Sequence, residues 1–182
     1  MEEEFNMEMK RTHYCGELRL KDAGKEEVLM GWAQRRRDHG GLIFVDLRDR
    51  TGIMQIVFDP IIDGESHKRA HDIRNEYVLA VKGKIRQRPE DTANPSLATG
   101  EVELAVEELD ILNVSETPPF VIEDELNVSE EIRLTYRYLD LRRPKKQKDF
   151  WVRHQATFET RKYLTEQGFF EIETPYIANS TP

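Results

Sequence analysis

The stretch RRRDHGGLIFVDLRD, residues 35–49, decides the fold. Gly40 and Gly41 supply a turn, and LIFVDLRD (42–49) after them is predicted as a strand. Successive side chains of a strand alternate between its faces. Ile43, Val45 and Leu47 then share one face, while Phe44 shares the other with Asp46 and Arg48. A large aromatic ring on the charged face calls for a use.

Working outward, EEVLMGWAQRRRD (26–38) reads as a strand before the turn. RTG (50–52) is a tight connection into a third strand, IMQIVFD (53–59). GESHKRAHDIRNE (64–76) has helix-like composition, with Ser66 as the predicted N-cap. YVLAVKGKIRQR (77–88) is a fourth strand, PEDTANPSLATG a turn-rich loop, and EVELAVEELDIL (101–112) a fifth strand. Three strands, a helix and two strands is the order of an OB-fold barrel, which often binds nucleic acid on the face of strands two and three.

The two-residue period assigns the faces. Ile43, Val45, Leu47, Met54, Ile56 and Phe58 are predicted to fill the interior. Arg35, Arg37, Phe44 and Gln55 gather on the outer surface, beside a basic stripe of Lys82, Lys84, Arg86 and Arg88. An exposed ring among arginines and an amide suits unpaired bases: stacking one base contributes ~1–3 kcal/mol, guanidinium groups hold phosphates, and an amide or carboxylate reads a base edge. A solvated basic face with Phe44 filling a surface gap is the competing account of the same pattern.

The totals bound the possibilities. The chain has 182 residues and a formal net charge of -8, which argues against a general nucleic-acid binder unless positive charge is local. No apolar run approaches the ~20 residues of a membrane helix. The N-terminus MEEEFNMEMKR has no hydrophobic signal core. Cys15 is the single cysteine, which excludes an internal disulfide and a cysteine-based zinc site. The five histidines show no metal-ligand spacing, and HGGL matches neither GxGxxG nor the P-loop. Expectations are therefore a cytoplasmic protein, no bound metal and no membrane partner.

Beyond the barrel, SETPPFVIEDELNVSEE (115–131) reads as a linker or hinge. DFWVRHQATFETRKYLTEQG (149–168) is predicted as a long helix, with Pro144 just before it and Gly168 as its terminating glycine. FFEIETP (169–175) is predicted as a strand. One helix and one strand cannot enclose a core, so this part is expected to be the truncated start of a second domain. The predicted organisation is a disordered 1–12, an OB-fold domain 13–113, a hinge 114–134 and the beginning of a further domain 135–182.

GWAQRRRDHGGLIFVDLRDRTGIMQIVFDP (31–60) closely resembles the N-terminal anticodon-binding barrel of bacterial-type aspartyl-tRNA synthetases. ATGEVEL (98–104) and EIRLTYRYLDLRRP (131–144) extend the resemblance. GFFEIETPYIANSTP (168–182) resembles motif 1 of class II synthetases, with Pro175 as the motif proline. The resemblance covers roughly residues 12–182. Lysyl- and asparaginyl-tRNA synthetases share the barrel and parts of YRYLDL, whereas the RRRD–G–LIF–D–RD block points to aspartate. The implied fold class is mainly β, a five-stranded OB barrel followed by a hinge and the first helix and strand of an antiparallel α+β catalytic domain.

This resemblance implies that Phe44 stacks on the central anticodon base, a uridine, and that Arg35, Arg37, Gln55, Arg88 and Glu103 contact the anticodon loop. For Glu103, as acceptor for a guanine edge, resemblance is the whole support. Histidine at position 39 resembles enzymes that charge both tRNA-Asp and tRNA-Asn, where discriminating enzymes tend to have leucine. The loop after Arg88 fits the dual type but departs at Asp91, where those enzymes often have glycine. The whole enzyme would use ATP, Mg2+ and L-aspartate to form aspartyl-adenylate and charge tRNA, as a homodimer through motif 1. Motifs 2 and 3 are missing from this sequence, so the 182-residue chain is expected to be catalytically inert and to bind no cofactor. Two alternatives are a free-standing OB-fold tRNA or single-stranded RNA binder and a protein-interaction module.

Overall fold

The computed structural model describes residues 9–177. Five strands close into a barrel in the order β1-β2-β3-β5-β4. They are β1 (Glu26–His39), β2 (Leu42–Arg48), β3 (Ile53–Phe58), β4 (Val78–Gln87) and β5 (Val102–Asn113), with α1 (Gly64–Ala70) between β3 and β4. Neighbours pair antiparallel except β3 and β5, whose parallel pairing through Ile56↔Leu104 and Val57↔Ala105 closes the ring. The six residues predicted to point inward are all at most 1% exposed. Closure removes free sheet edges and buries one complete apolar row per strand.

Local chemistry explains the corners. Gly40 and Gly41 both have positive φ, 58° and 82°, as a two-residue hairpin turn demands. At the β2–β3 turn, Asp49 accepts from the amide and hydroxyl of Thr51 (2.7 Å each) and from the Cys15 amide (2.7 Å). Burial works against ionisation of Asp49, yet those hydrogen bonds hold its carboxyl below the usual range. Burial, and then the charge of Asp49, push the Cys15 thiol up, so it packs as a small apolar group.

Two expectations for α1 are corrected. Asp63, not Ser66, is the N-cap: its carboxylate accepts from Glu65 N (3.3 Å) and Ser66 N (2.9 Å), while Ser66 lies inside the helix and is buried. The helix also stops at Ala70 instead of running to residue 76, because the chain turns through residues 71–77 and delivers Glu76 N to Ala33 O at 2.7 Å. The expectation for residues 1–12 falls largely outside the described residues; Thr12 N already donates to Val28 O at 3.0 Å.

The chain divides into two compact units, 1–118 and 119–182. In the second, α2 (Glu130–Thr135), α3 (Arg137–Asp140) and α4 (Pro144–Glu166) follow one another. Phe120, Ile122 and Leu139 form a small buried cluster, with Leu126 and Val128 packed against it. Arg143 fastens it, donating from Nε to Glu123 O (3.1 Å), from Nη2 to Asp124 O (3.0 Å) and from Nη1 to Asp140 Oδ1 (2.9 Å). Arg137 Nη1 reaches the other oxygen of Asp140 at 2.7 Å. The Arg143 hydrogen bond, above all, holds the Asp140 carboxyl below its ordinary range. The block YRYLDLRRP thus has a structural account in its Asp140 and Arg143.

Pro144 lies within α4 rather than before it, in the first turn, where a missing N–H costs nothing. Gly168, at φ 86°, ends that helix as expected. Residues 169–175 do not form the expected strand: among the described residues no strand pairs with them, and an extended segment without a neighbouring strand has no ladder to join.

Candidate nucleic-acid interface

The outer face of the barrel owes its composition to one irregularity. Glu27, Leu29, Gly31 and Ala33 of β1 turn inward at regular alternation. Continued without a break, that alternation would drive Arg35 and Arg37 into the core. A register shift between Ala33 and Arg35 resets the phase, so that Arg35 pairs with Asp46 and Arg37 with Phe44 on the outside. Bulges commonly re-aim side chains in this way next to functional sites.

A groove of about 810 Å³ opens beside these residues. It is lined by Arg37, His39, Phe44, Gln55, Arg88 and Glu103, six of the residues that the sequence and the resemblance single out, from β1, β2, β3, β5 and the start of the loop after β4. Arg35, exposed on the same strand as Arg37, is not among the lining residues, nor is Asp91, which stands exposed in the turn Glu90–Thr92. Pro175 is exposed in the second unit. Sequence reasoning passed over Asp38, Leu42, Gln87, Pro89 and Thr92 as site residues, although all five line the same groove. Pro89 and Thr92 sit in a loop with no periodicity to betray them.

The polar side chains of the groove are engaged with one another. Arg37 Nη2 donates to Asp46 Oδ1 at 2.6 Å and to Gln55 Oε1 at 3.3 Å. Gln55 Nε2 donates to Glu103 Oε2 at 2.7 Å, and Arg86 Nε donates to Glu103 Oε1 at 2.7 Å. Gln55 and Glu103 are only 5% and 4% exposed. The expectation of an outward, exposed Gln55 is therefore corrected, and Glu103 is buried beside it. The parallel β3–β5 pairing sets the two strands side by side and buries these polar ends between them.

The predicted basic stripe on β4 is also corrected. Lys82 pairs with Glu26 (3.1 Å), Lys84 with Glu107 (3.7 Å) and Arg86 with Glu103, so cross-strand carboxylates neutralise most of it. Arg88 differs. Its side chain lines the groove, and its Nε is buried with no hydrogen-bond partner among the described residues. Buried donors of this kind cost about 1–3 kcal/mol while unmet. Phe44 is half-buried, its ring part of the same wall. Among the described residues no three His, Cys, Asp or Glu side chains come together to hold a metal ion.

Residues 28–112 match the family described as OB-fold nucleic acid binding domain, and residues 129–182 match tRNA synthetases class II (D, K and N). The barrel thus matches a family of OB-fold nucleic acid binding domains, and the C-terminal part matches a family of class II tRNA synthetases. More narrowly, the chain is 58% identical over 174 residues to the Aspartate--tRNA(Asp/Asn) ligase of Desulfosudis oleivorans, covering 96% of this chain and 29% of that protein. The chain therefore spans less than a third of the length of the curated relatives it matches. The asparaginyl-tRNA synthetase of Pyrococcus horikoshii, solved with asparaginyl-adenylate, aligns at 29% identity with a TM-score of 0.77, over 92% of this chain and 37% of its own. The aspartyl-tRNA synthetase of Entamoeba histolytica shares the fold at a TM-score of 0.83 and 23% identity, over 97% and 42% of the two chains.

Proposed function

We propose that this chain is the anticodon-reading part of an aspartate–tRNA ligase that charges both tRNA-Asp and tRNA-Asn. The observation that carries the reading is the groove itself: the Phe44 ring, the Arg37 guanidinium, the Arg88 side chain and His39 line one cavity on the face that OB folds use for bases. Phe44 stacks the central anticodon base, the Arg88 guanidinium meets a phosphate or base oxygen, and Gln55 meets a base edge. His39, at the rim of the groove, tolerates either of the third bases that separate the two tRNAs. Arg35 reaches the backbone of the loop from outside the groove, and Asp91 acts through the loop that carries Thr92. Similarity to ligases whose name carries both Asp and Asn supports the dual reading.

In the whole enzyme L-aspartate and ATP form aspartyl-adenylate, with Mg2+ holding the ATP phosphates, before transfer to tRNA. The exposed apolar side chains of α4, including Trp151 and Phe158, and the exposed Pro175 support a homodimer through motif 1. No helix among the described residues is long and apolar enough to cross a membrane, in keeping with a cytoplasmic enzyme.

The test is a fluorescence titration with anticodon stem-loop RNAs bearing GUC, GUU, or GUC with its central U replaced. GUC and GUU should bind alike and the replaced loop at least about tenfold more weakly; Phe44→Ala should cost ~1–3 kcal/mol of binding. Preference for GUC over GUU would remove dual reading at His39. Equal binding of all three would remove base reading altogether and favour a general single-strand binder, whose affinity is mostly electrostatic.

A further inference from the structure

The contacts around Glu103 form a continuous chain, Arg86–Glu103–Gln55–Arg37–Asp46, which takes one residue from each of the five strands. We infer that Glu103 is a positioning residue: clamped by Arg86, it sets which end of the Gln55 amide faces which neighbour, and Gln55 in turn seats Arg37. This inference rests on the reading of the groove as an anticodon site and assigns Glu103 an indirect part in it.

The reason lies in donors and acceptors. An ionised carboxylate only accepts, whereas an amide accepts at one end and donates at the other. Arg86 Nε occupies one oxygen of Glu103 and Gln55 Nε2 the other, each at 2.7 Å, and the residue is 4% exposed. Because position 103 offers no donor, the NH2 end of Gln55 must face it. The Gln55 carbonyl is then left to receive Arg37, which Asp46 steadies from the far side. A lone glutamine is nearly indifferent to a flip of its amide; here the flip would set donor against donor at Arg37 and acceptor against acceptor at Glu103. Any base edge that reaches Gln55 therefore meets one fixed pattern. Strand pairing makes the arrangement possible, since Arg86 lies opposite Glu103 and Gln55 opposite Asp46.

Glu103→Gln tests this while keeping the shape of the side chain. With its oxygen held by Arg86, its new NH2 confronts the NH2 of Gln55. The Gln55 amide then turns over and loses Arg37. In the isotopically labelled full chain without RNA, the Gln55 side-chain NH2 signals, identified by their loss in Gln55→Ala, should shift on Glu103→Gln while backbone signals of the barrel core stay in place. Binding of the GUC stem-loop should fall by about tenfold, and in a Gln55→Ala background the same change should add less than about twofold. Unmoved NH2 signals would overturn the inference. So would an equal loss in both backgrounds, because Glu103 would then touch RNA itself. If the unaltered chain binds no stem-loop, the anticodon reading fails instead, and the NH2 signals alone decide whether Glu103 orients Gln55.

Discussion

Both units of the chain contain an arginine that grips a buried carboxylate, and the two pairs do different work. In the barrel, Arg86 holds Glu103 on the outside of a core that is already closed, where Leu104, Ile56 and Val45 have no exposure. In the helical unit, Arg143 holds Asp140 and two loop carbonyls over a cluster built on Phe120, Ile122 and Leu139. The closed apolar core beneath the first pair leaves the barrel less dependent on it, so on the proposed reading it can shape the groove. The second pair substitutes for apolar area that the small cluster does not supply. Downstream, α4 has no buried residue, and Phe150, Trp151, Phe158 and Tyr163 stand exposed along it. A helix gains most of its stability from packing an apolar face, so α4 in this chain depends on its caps and local propensity.

The largest expected effect sharpens that contrast. Leu104→Ala should destabilise the barrel by about 2–5 kcal/mol in chemical denaturation, because it leaves a cavity in a closed core. Leu164→Ala on α4 should change stability by no more than about 0.5 kcal/mol. A similar cost for both would mean that α4 is covered in solution, and the contrast would break.

Arg143→Met should cost the helical unit about 2–3 kcal/mol, since Asp140 and two carbonyls lose a charged donor together. Hydrogen exchange would read this as faster opening of residues 119–143 with the barrel amides unchanged. Arg86→Met should leave the denaturation midpoint of the barrel closer to that of the unaltered chain. Should Arg86→Met prove the more damaging, the ranking of the two pairs reverses.

Acidification probes the same pair of regions. Asp49 and Asp140 both have folded-state pKa values below their ordinary range, so each contributes stability that is present above the unfolded carboxylate value, ~3.9. That contribution is lost as pH falls below it and through the depressed folded value. Between neutral pH and about 5 neither unit should weaken through these groups. Below about pH 4 the helical unit should open first, because its fold leans on Asp140 while the barrel retains its apolar core. Tyrosine and tryptophan signals from α3 and α4, followed against those of Trp32 in β1 and Tyr77 just before β4, would separate the two.

The smallest effects concern the caps. Asp63→Ala should cost about 1 kcal/mol, since its carboxylate satisfies two free amides of α1. Ser129→Ala, at the start of α2, should cost less, as its hydroxyl accepts a single amide at 3.4 Å. Equal losses would show that cap geometry does not distinguish the units.

Strand order, the inward rows and the aromatic ring on the charged face were legible in the sequence, because alternation and turn glycines are local signals carried by a few adjacent residues. Arg37, Phe44, Gln55 and Arg88 line one groove for the same reason, whereas His39 and Glu103, which line it too, were singled out by resemblance alone. One of the first four, Gln55, was placed on the outer surface although it is buried, because periodicity assigns a face and is silent on what covers it. Ser66 was named as the cap and Asp63 is the cap, because both residue types cap helices and only the path of the backbone chooses between them. The strand at 169–175 failed because a strand exists only with a partner to receive its hydrogen bonds.

The sequence by itself therefore determined the barrel, its apolar filling and the family resemblance of its charged face. Only the tertiary structure decided the rest: the register shift that turns Arg35 and Arg37 outward, the carboxylates that neutralise the lysine stripe, and the five-strand chain that orients Gln55. Each of these depends on residues far apart in sequence meeting at one hydrogen-bond length, and no local pattern encodes that distance.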